Sequence, residues 1–266
     1  QQCVVADGHR SGSVYVGQIK GVIDSICSGC QTLDVAHDIP PGDPEQVVGE
    51  GAFLLERSYG FFPPATLFLC VVDPGVGTDR KVLLLEAGKQ LFVAPDNGLL
   101  APVVDSAADS KIVSIEETRW FLEPRSNTFH GRDVFAALAA HIARGLRRTG
   151  LGPVLEPADI VKLPGEPATE TVGRVRSIDR FGNLITDVVP RGDVETLRAV
   201  TVGDHTLLRR ARTFAEAEGE DPFFTVGGLG TVEIVCRGSS AQKTLEIDRG
   251  VRVEVAYVEE EADQSP

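Results

Sequence analysis

The sequence predicts two parts of different class: an α/β first part, a mixed sheet with flanking helices, and a small all-β second part. Three observations predict this. Strand-like and helix-like segments alternate through the first 150 or so residues, the pattern of a layered α/β fold. Between about 150 and 171 the composition shifts to Gly, Pro and Glu ("TGLGPVLEPADIVKLPGEPATE"). Beyond it, short alternating strand signals recur between Gly turns without strong helices, which suggests an antiparallel barrel or sandwich. The expected organisation is therefore an N-terminal domain over 1–152, a linker over 153–171, a C-terminal domain over 172–260 and a disordered tail over 261–266.

Taken in order, "QCVVA" reads as a first strand. "VYVGQIKGVIDSIC" places Val16, Ile19, Val22 and Ile23 at helical spacing. "TLDVAHDI" is strand-like and stops at the "PPGDP" breaker. "PEQVVGEGAFLLERSYGFF" opens with Pro at a helix start and carries an apolar stripe. "ATLFLCVV" is a near-continuous apolar run, as a strand covered on both faces requires. "KVLLLEAG" and "QLFVAPD" form a hairpin around Gly88-Lys89, and Asn97 in "APDNGLLAPV" suits the N-cap of a helix. "GRDVFAALAAHIARGLRR" is an Ala-rich helix with an acid near its start and a basic last turn. The second part offers "TVGRVRSID", "GNLITDVV", "RAVTVGDHTL", "GTVEIVCRG" and "RVEVAYVE" as strands.

The 266 residues are enough to bury a core, and 42% apolar with 24% charged is the balance of a soluble globular chain. A formal charge of -13 leaves no basic excess to offset phosphates, which argues against a nucleic-acid partner. No apolar stretch reaches membrane-spanning length and no basic-then-apolar leader is present, so no membrane partner is expected. "CSGC" at 27–30 has redox or zinc spacing, but no second pair completes a zinc site. Reduced thiols ending a helix, in a cytoplasmic setting, fit these cysteines.

The chemistry-bearing candidates begin with "VVDPGVGTDRK" (71–81). Asp73 follows a buried strand, Gly75 and Gly77 allow close backbone approach, and Arg80 returns on the same loop. Either a surface ion pair on a turn or an active-site loop accounts for it. His130 in "NTFHGRDVF" precedes a helix, where the dipole favours a neutral imidazole. Asp179, Phe181 and Asn183 surround a Gly turn in "SIDRFGNLITDV", and Asn183 can give and take hydrogen bonds as an adenine edge requires. Asp34, His37 and Asp38 with Asp73 or His130 form a secondary, metal-binding alternative.

"DVAHDIPPGD", "VVDPGVGTDRK", "APDNGLL", "TFHGRDVFAALAAHIA" and "DRFGNLITDV", in that order, resemble the S-adenosyl-L-methionine (SAM) hydroxide adenosyltransferases, or SAM hydrolases. These are relatives of the fluorinases and chlorinases, and the likeness runs from about residue 14 to the last strands. It implies a C-terminal β-barrel and a homotrimer with active sites at subunit interfaces. It also implies hydrolysis of SAM to adenosine and L-methionine without metal or cofactor. Asp73, Arg80 and His130 match the family's water-positioning triad. The halogenating relatives lack it and carry Tyr and Thr in the "VVDPGVG" segment. The resemblance puts adenine near Asn183 and the backbone of "CRGSS", including Gly238. It makes Phe129 a stacking ring, Asp179 the partner of the methionine ammonium, and Phe181 a further binding residue. The N-terminal pattern departs: Gly8 stands where the ribose-binding acid is expected, with Asp7 one position away. Ser13 replaces a second acid, and Gly228 stands where relatives have Ser. The alternatives are a 5′-halogenase-like enzyme and a non-catalytic adenosine- or SAM-binding protein.

Overall fold

The structure, a computed structural model, describes residues 2–8, 12–217 and 219–258. The expected disordered tail, 261–266, lies outside the described residues. The chain divides into two compact units, Gln1–Pro164 and Gly165–Pro266.

In the first unit β1 (Gln2–Asp7), α1 (Val14–Ile26), β2 (Gln31–Ala36), α2 (Pro44–Ser58) and β3 (Leu67–Val71) come first. β4 (Val82–Ala87), β5 (Gln90–Pro95), α3 (Ala101–Ser106), β6 (Ser110–Ser114), α4 (Ala137–Ala143) and β7 (Val154–Leu155) follow. The strands form one sheet in the order β2-β1-β3-β5-β4-β6-β7. β2, β1, β3 and β5 run parallel, β4 runs against β5 and β6, and β7 runs against β6, so the sheet is mixed. The Gly88-Lys89 hairpin forms as expected, with Ala87 opposite Gln90.

The apolar run of β3 is buried on both faces, each supporting a separate core. Leu67 and Leu69 pack with Ile19 and Ile23 of α1 and Leu138 of α4. Phe68 and Cys70 face the other way, onto Val48, Ala52 and Leu55 of α2. α2 starts where Pro44 and its cap predict, with Asp43 Oδ1 accepting from the amides of Glu45 and Gln46. Gly51 lets this helix lie close to the end of β3, since a Cβ there would fall 2.8 Å from Val72 Cγ2.

Chain order explains where a ligand can bind. β1 is followed by β2 on one side and, across the sheet, by β3 on the other. The switch between β1 and β3 therefore opens a crevice at their carboxyl ends. The loops after β2, β1, β3 and β5 all leave at that edge.

Four local expectations need correction. The Ala-rich helix is shorter than 131–148: Gly131–Ala136 is π-helical and α4 ends before Arg144. Gly145, at φ +109°, turns the chain away there and leaves the basic run outside the helix. Asn97 does not cap α3, whose N-cap is Leu100. The supposed linker contributes β7 and the buried Ile160 to the first unit. Cys27 and Cys30 are bonded to each other rather than free. The turn after α1, with Gly29 at φ +93°, brings their Cα atoms to 5.5 Å. Cys70 and Cys236 are buried.

The second unit contains β8 (Val172–Ile178), β9 (Leu184–Thr186), β10 (Leu197–Val202), β11 (His205–Leu207), β12 (Phe223–Val226), β13 (Val232–Val235), a short α5 (Ala241–Leu245) and β14 (Arg252–Tyr257). Its sheet runs β11-β10-β14-β8-β9-β13-β12, and every paired neighbour is antiparallel. Arg210, just past β11, bridges to Phe224 of β12, so the two ends of the sheet approach and the unit is a nearly closed barrel. Its core is the inward-facing set around Val200, Phe224, Ile234 and Val253. Among the described residues no helix is long and apolar enough to cross a membrane.

Gly51→Leu is expected to force α2 off the end of β3 and to cost about 1–3 kcal/mol by overpacking. Urea unfolding of the purified variant measures this.

Candidate active site

β3 delivers its last residues to the open edge of the sheet, and two stacked turns then reverse the chain. Val76 N donates to the carbonyl of Asp73, and Thr78 N and Oγ1 both donate to the carbonyl of Gly75. Gly77 takes φ +86°, and a Cβ there would lie 2.9 Å from the Asn127 carbonyl oxygen, so only glycine fits without displacing backbone. These turns bring Arg80 back over Asp73. Arg80 Nε lies 2.7 and 2.8 Å from Oδ1 and Oδ2 of Asp73, and Nη2 also donates to Oδ2. The two side chains are only 8% and 5% exposed, so this is a buried charge pair and not a solvated one on a surface turn. From the neighbouring parallel strand, Asn97 Nδ2 donates to the Val72 carbonyl at 2.8 Å and fixes the residue before Asp73.

His130 enters from the start of the π-helical stretch. Its Nδ1 lies 3.4 and 3.3 Å from Nη1 and Nη2 of Arg80. A guanidinium can only donate, so Nδ1 accepts and the ring proton resides on Nε2. Burial lowers the His130 pKa, and the positive charge of Arg80 lowers it further. Asp73 and Asp133 oppose this, while Arg125 adds to it. The balance favours the neutral imidazole relative to an ordinary histidine. Arg80 also lies over the Phe135 ring, 5.6 Å from its centroid. Three residues far apart in sequence therefore converge as one hydrogen-bonded unit.

The remaining candidates fall into two groups. Asp7 ends β1 in register with Val71, and Gly8 N donates to the Val71 carbonyl. The backbone at Asp7 thus adjoins the Asp73 loop. Ser13, where the family pattern has an acid, caps α1 by accepting from Val16 N. Phe129 is buried, with its ring edge-on to Tyr15 at 5.1 Å and under the Arg132 guanidinium at 5.1 Å. Its ring is packed against these two side chains.

In the second unit, Asp179 closes the β8–β9 turn. Its Oδ1 accepts from the amides of Phe181 and Asn183, and its Oδ2 accepts from Asn183 Nδ2 at 2.9 Å. Asn183 is buried, while Phe181 projects 62% exposed beneath Arg180. Gly182 lies against Ser240, and the Gly182 carbonyl accepts from Gln242 N. This brings the turn and the loop carrying Gly238, itself at φ +76°, together. Sequence reading missed Glu233 beside this group. Burial, and then the charge of Asp179, push its carboxyl up. Its carboxylate lies over Gly227, where a Cβ would fall 1.8 Å from Oε1.

The metal-binding alternative finds no support in the geometry. His37 Nε2 faces Asp34 Oδ1 at 3.1 Å, and Asp34 is paired with Lys20. Among the described residues no three His, Cys, Asp or Glu are placed to hold an ion.

Comparison with known proteins bears on this site. Models of the SAM hydroxide adenosyltransferase N-terminal and C-terminal domains match residues 10–152 and 173–254. The chain is 35% identical to a protein of Thermus thermophilus named (R)-S-adenosyl-L-methionine hydrolase, covering 90% of this chain and 93% of that one. A protein of the same name from Salinispora arenicola is 33% identical, covering 91% and 92%. A fluorinase of Actinoplanes is more distant, 29% identical over 73% of this chain and 72% of its own. The crystal structure of an uncharacterized conserved protein from Thermotoga maritima superposes with TM-score 0.84 at 31% identity, covering 96% of this chain and all of the other.

Arg80→Met leaves the Asp73 carboxylate buried without its partner and is expected to cost about 3–5 kcal/mol in urea unfolding. Adding Asp73→Asn removes the stranded charge and is expected to recover most of that loss.

Proposed function

The chain belongs to the SAM hydroxide adenosyltransferase family, and from that premise we propose that it hydrolyses SAM to adenosine and L-methionine. The observation that carries this reading is the convergence of Asp73, Arg80 and His130 on one another at the carboxyl edge of the parallel strands.

The chemistry asks for positioning more than for acid or base strength. The sulfonium is already an activated leaving group. When a water oxygen bonds to the ribose 5′ carbon, the C5′–S pair returns to sulfur and methionine departs as a neutral thioether. No acid is needed there. What remains is to hold one water in line behind C5′ and to take up its proton. A carboxylate has more acceptor sites than Arg80 fills, so Asp73 can still accept from that water and receive its proton on the way to solvent. Arg80 holds the carboxylate in place through directed hydrogen bonds, which makes Asp73 an orienting group first. His130, with its proton on Nε2, donates to the water oxygen and leaves one lone pair aimed at carbon.

Substrate binding is completed, in this reading, by Asp7 for the ribose, by Asn183, Gly238 and the exposed Phe181 ring for adenine, and by Asp179 for the ammonium. Phe129 supports His130 from behind. The assembly that goes with it is a homotrimer with active sites at subunit interfaces, and the setting is the cytoplasm. The relatives' names specify the R form of the sulfonium, so both epimers belong in the assay. A halogenase is the weaker alternative, since the water-positioning triad is complete.

Incubation with SAM in ¹⁸O-labelled water should give adenosine and methionine in equal amounts, with the label in the adenosine 5′-hydroxyl. Intact SAM after long incubation would overturn the reading, and a 5′-halogenated product on adding chloride or fluoride would replace it. Asp73→Asn should lower kcat by roughly 10²-fold or more. His130→Gln, whose amide keeps a donor near the Nε2 position, should exceed His130→Ala by about tenfold. Because the His130 pKa is lowered, protonation breaks its bond from Arg80 only in acid. Activity should therefore stay level through the ordinary imidazole range near pH ~6.5 and fall only below it.

A further inference from the structure

We propose that Asp133, working with Arg132, is a positioning residue for this reaction, holding His130 and the Asp73–Arg80 loop at the separation the chemistry needs. The proposal rests on the hydrolase reading above. Asp133 is 1% exposed and touches neither Asp73, Arg80 nor His130 through any hydrogen bond described here. Its carboxylate instead grips two other partners. Arg132 Nε donates to Oδ1 at 2.5 Å and Nη2 to Oδ2 at 2.9 Å, while the Ser126 amide donates to Oδ2 at 2.8 Å. Its own carbonyl accepts from Leu122 N at 2.8 Å. Side chain and main chain of one buried residue thus pin both ends of the 122–126 segment.

That segment is followed by Asn127, whose carbonyl oxygen occupies the space beside Gly77, 2.9 Å from where a Cβ would stand. A contiguous path therefore runs from the Asp133 carboxylate through Ser126 and Asn127 to the turn that returns Arg80 over Asp73. A second path runs through Arg132. Its Nη1 donates to Gln18 Oε1 of α1 at 3.0 Å, and its guanidinium covers Phe129, the residue before His130. One path ends on the loop that carries Arg80 and the other on the residue before His130. The π-helical stretch Gly131–Ala136 is where they meet: Arg132 N and Asp133 N both donate to the Phe129 carbonyl. Asp133 also carries a charge that acts on His130, together with Asp73 and against Arg80 and Arg125.

The test compares wild type, Asp133→Asn and Arg132→Lys. Asp133→Asn keeps an acceptor for Ser126 but loses the charge and the two-pronged arginine pair. It should lower kcat by about tenfold or more with KM within about twofold. Its His130 should titrate at lower pH than in wild type, followed by imidazole NMR, because a neighbouring negative charge is gone. Arg132→Lys, at a partly exposed position, should lower kcat in the same sense with KM unchanged and leave the His130 titration nearly in place. An unchanged kcat per folded molecule in both variants, or a loss confined to KM, would overturn the proposal. If Asp133→Asn does not fold, Arg132→Lys decides alone by the same criterion. Wild type that turns over no SAM sinks the hydrolase reading instead. The positioning claim is then read without turnover, from the His130 titration and hydrogen exchange at the Ser126 and Gly77 amides, and it fails if neither moves.

Discussion

The buried pair of Asp73 and Arg80 is the constraint on which the rest of the first unit depends. Two charges with almost no solvent access are tolerable only when each is matched to the other in short, directed hydrogen bonds. Meeting that requirement dictates the two turns between them, the glycine at 77 and the buried Val72 that precedes Asp73. It also dictates what surrounds the pair. Asn97 fastens the strand end, α2 lies close because Gly51 has no side chain, and His130 completes the coordination of the guanidinium. A surface ion pair would have asked for none of this.

Much of this was legible in the sequence, and the rest failed for physical reasons that can be named. The strand at 67–71 and the Gly88-Lys89 hairpin were readable because burial on both faces and turn chemistry are local signals. Asp73, Arg80 and His130 were grouped by the family resemblance alone, since nothing local in the sequence ties residue 80 to residue 130. Asn97 shows the limit well. Its type suits a cap, yet its bond goes to a carbonyl 25 positions earlier on a neighbouring strand. β12 was missed because "FFTV" is four residues between Pro and Gly, too short for a period to register. The helix at 131–148 looked continuous because composition cannot report the tertiary bond from Leu122 N to the Asp133 carbonyl, nor the left-handed Gly145 that ends it. The bonded Cys27 and Cys30 show the same limit: the spacing was visible, and the turn that brings them together was not.

The second unit illustrates a different economy. Asp179, read from sequence as a ligand group, spends both oxygens on its own turn, which rigidifies Asn183 and presents Phe181 outward. A carboxylate used this way is not lost to binding, since each oxygen retains a further acceptor direction. Its neighbour Glu233 has its carboxyl pushed up, first by burial and then by the charge of Asp179. Turn, loop and β13 carboxylate are thereby locked into one local arrangement inside the unit.

The electrostatics of the triad also fit a cationic substrate. SAM brings a positive sulfonium to the reacting carbon, so any further positive charge there would oppose binding. Asp73 and Arg80 cancel each other, and the lowered pKa keeps His130 from adding a charge of its own. Burial and Arg80 therefore serve two ends at once. They favour the tautomer with its proton on Nε2, and they hold the net charge of this group of side chains near zero. The overall charge of -13 is a weaker aid, because charges more than a Debye length away, about 8–10 Å at ordinary ionic strength, are largely screened. In the proposed mechanism, discrimination at the reacting carbon comes from these few buried groups, and a protonated His130 would undo the tautomer and the charge balance together.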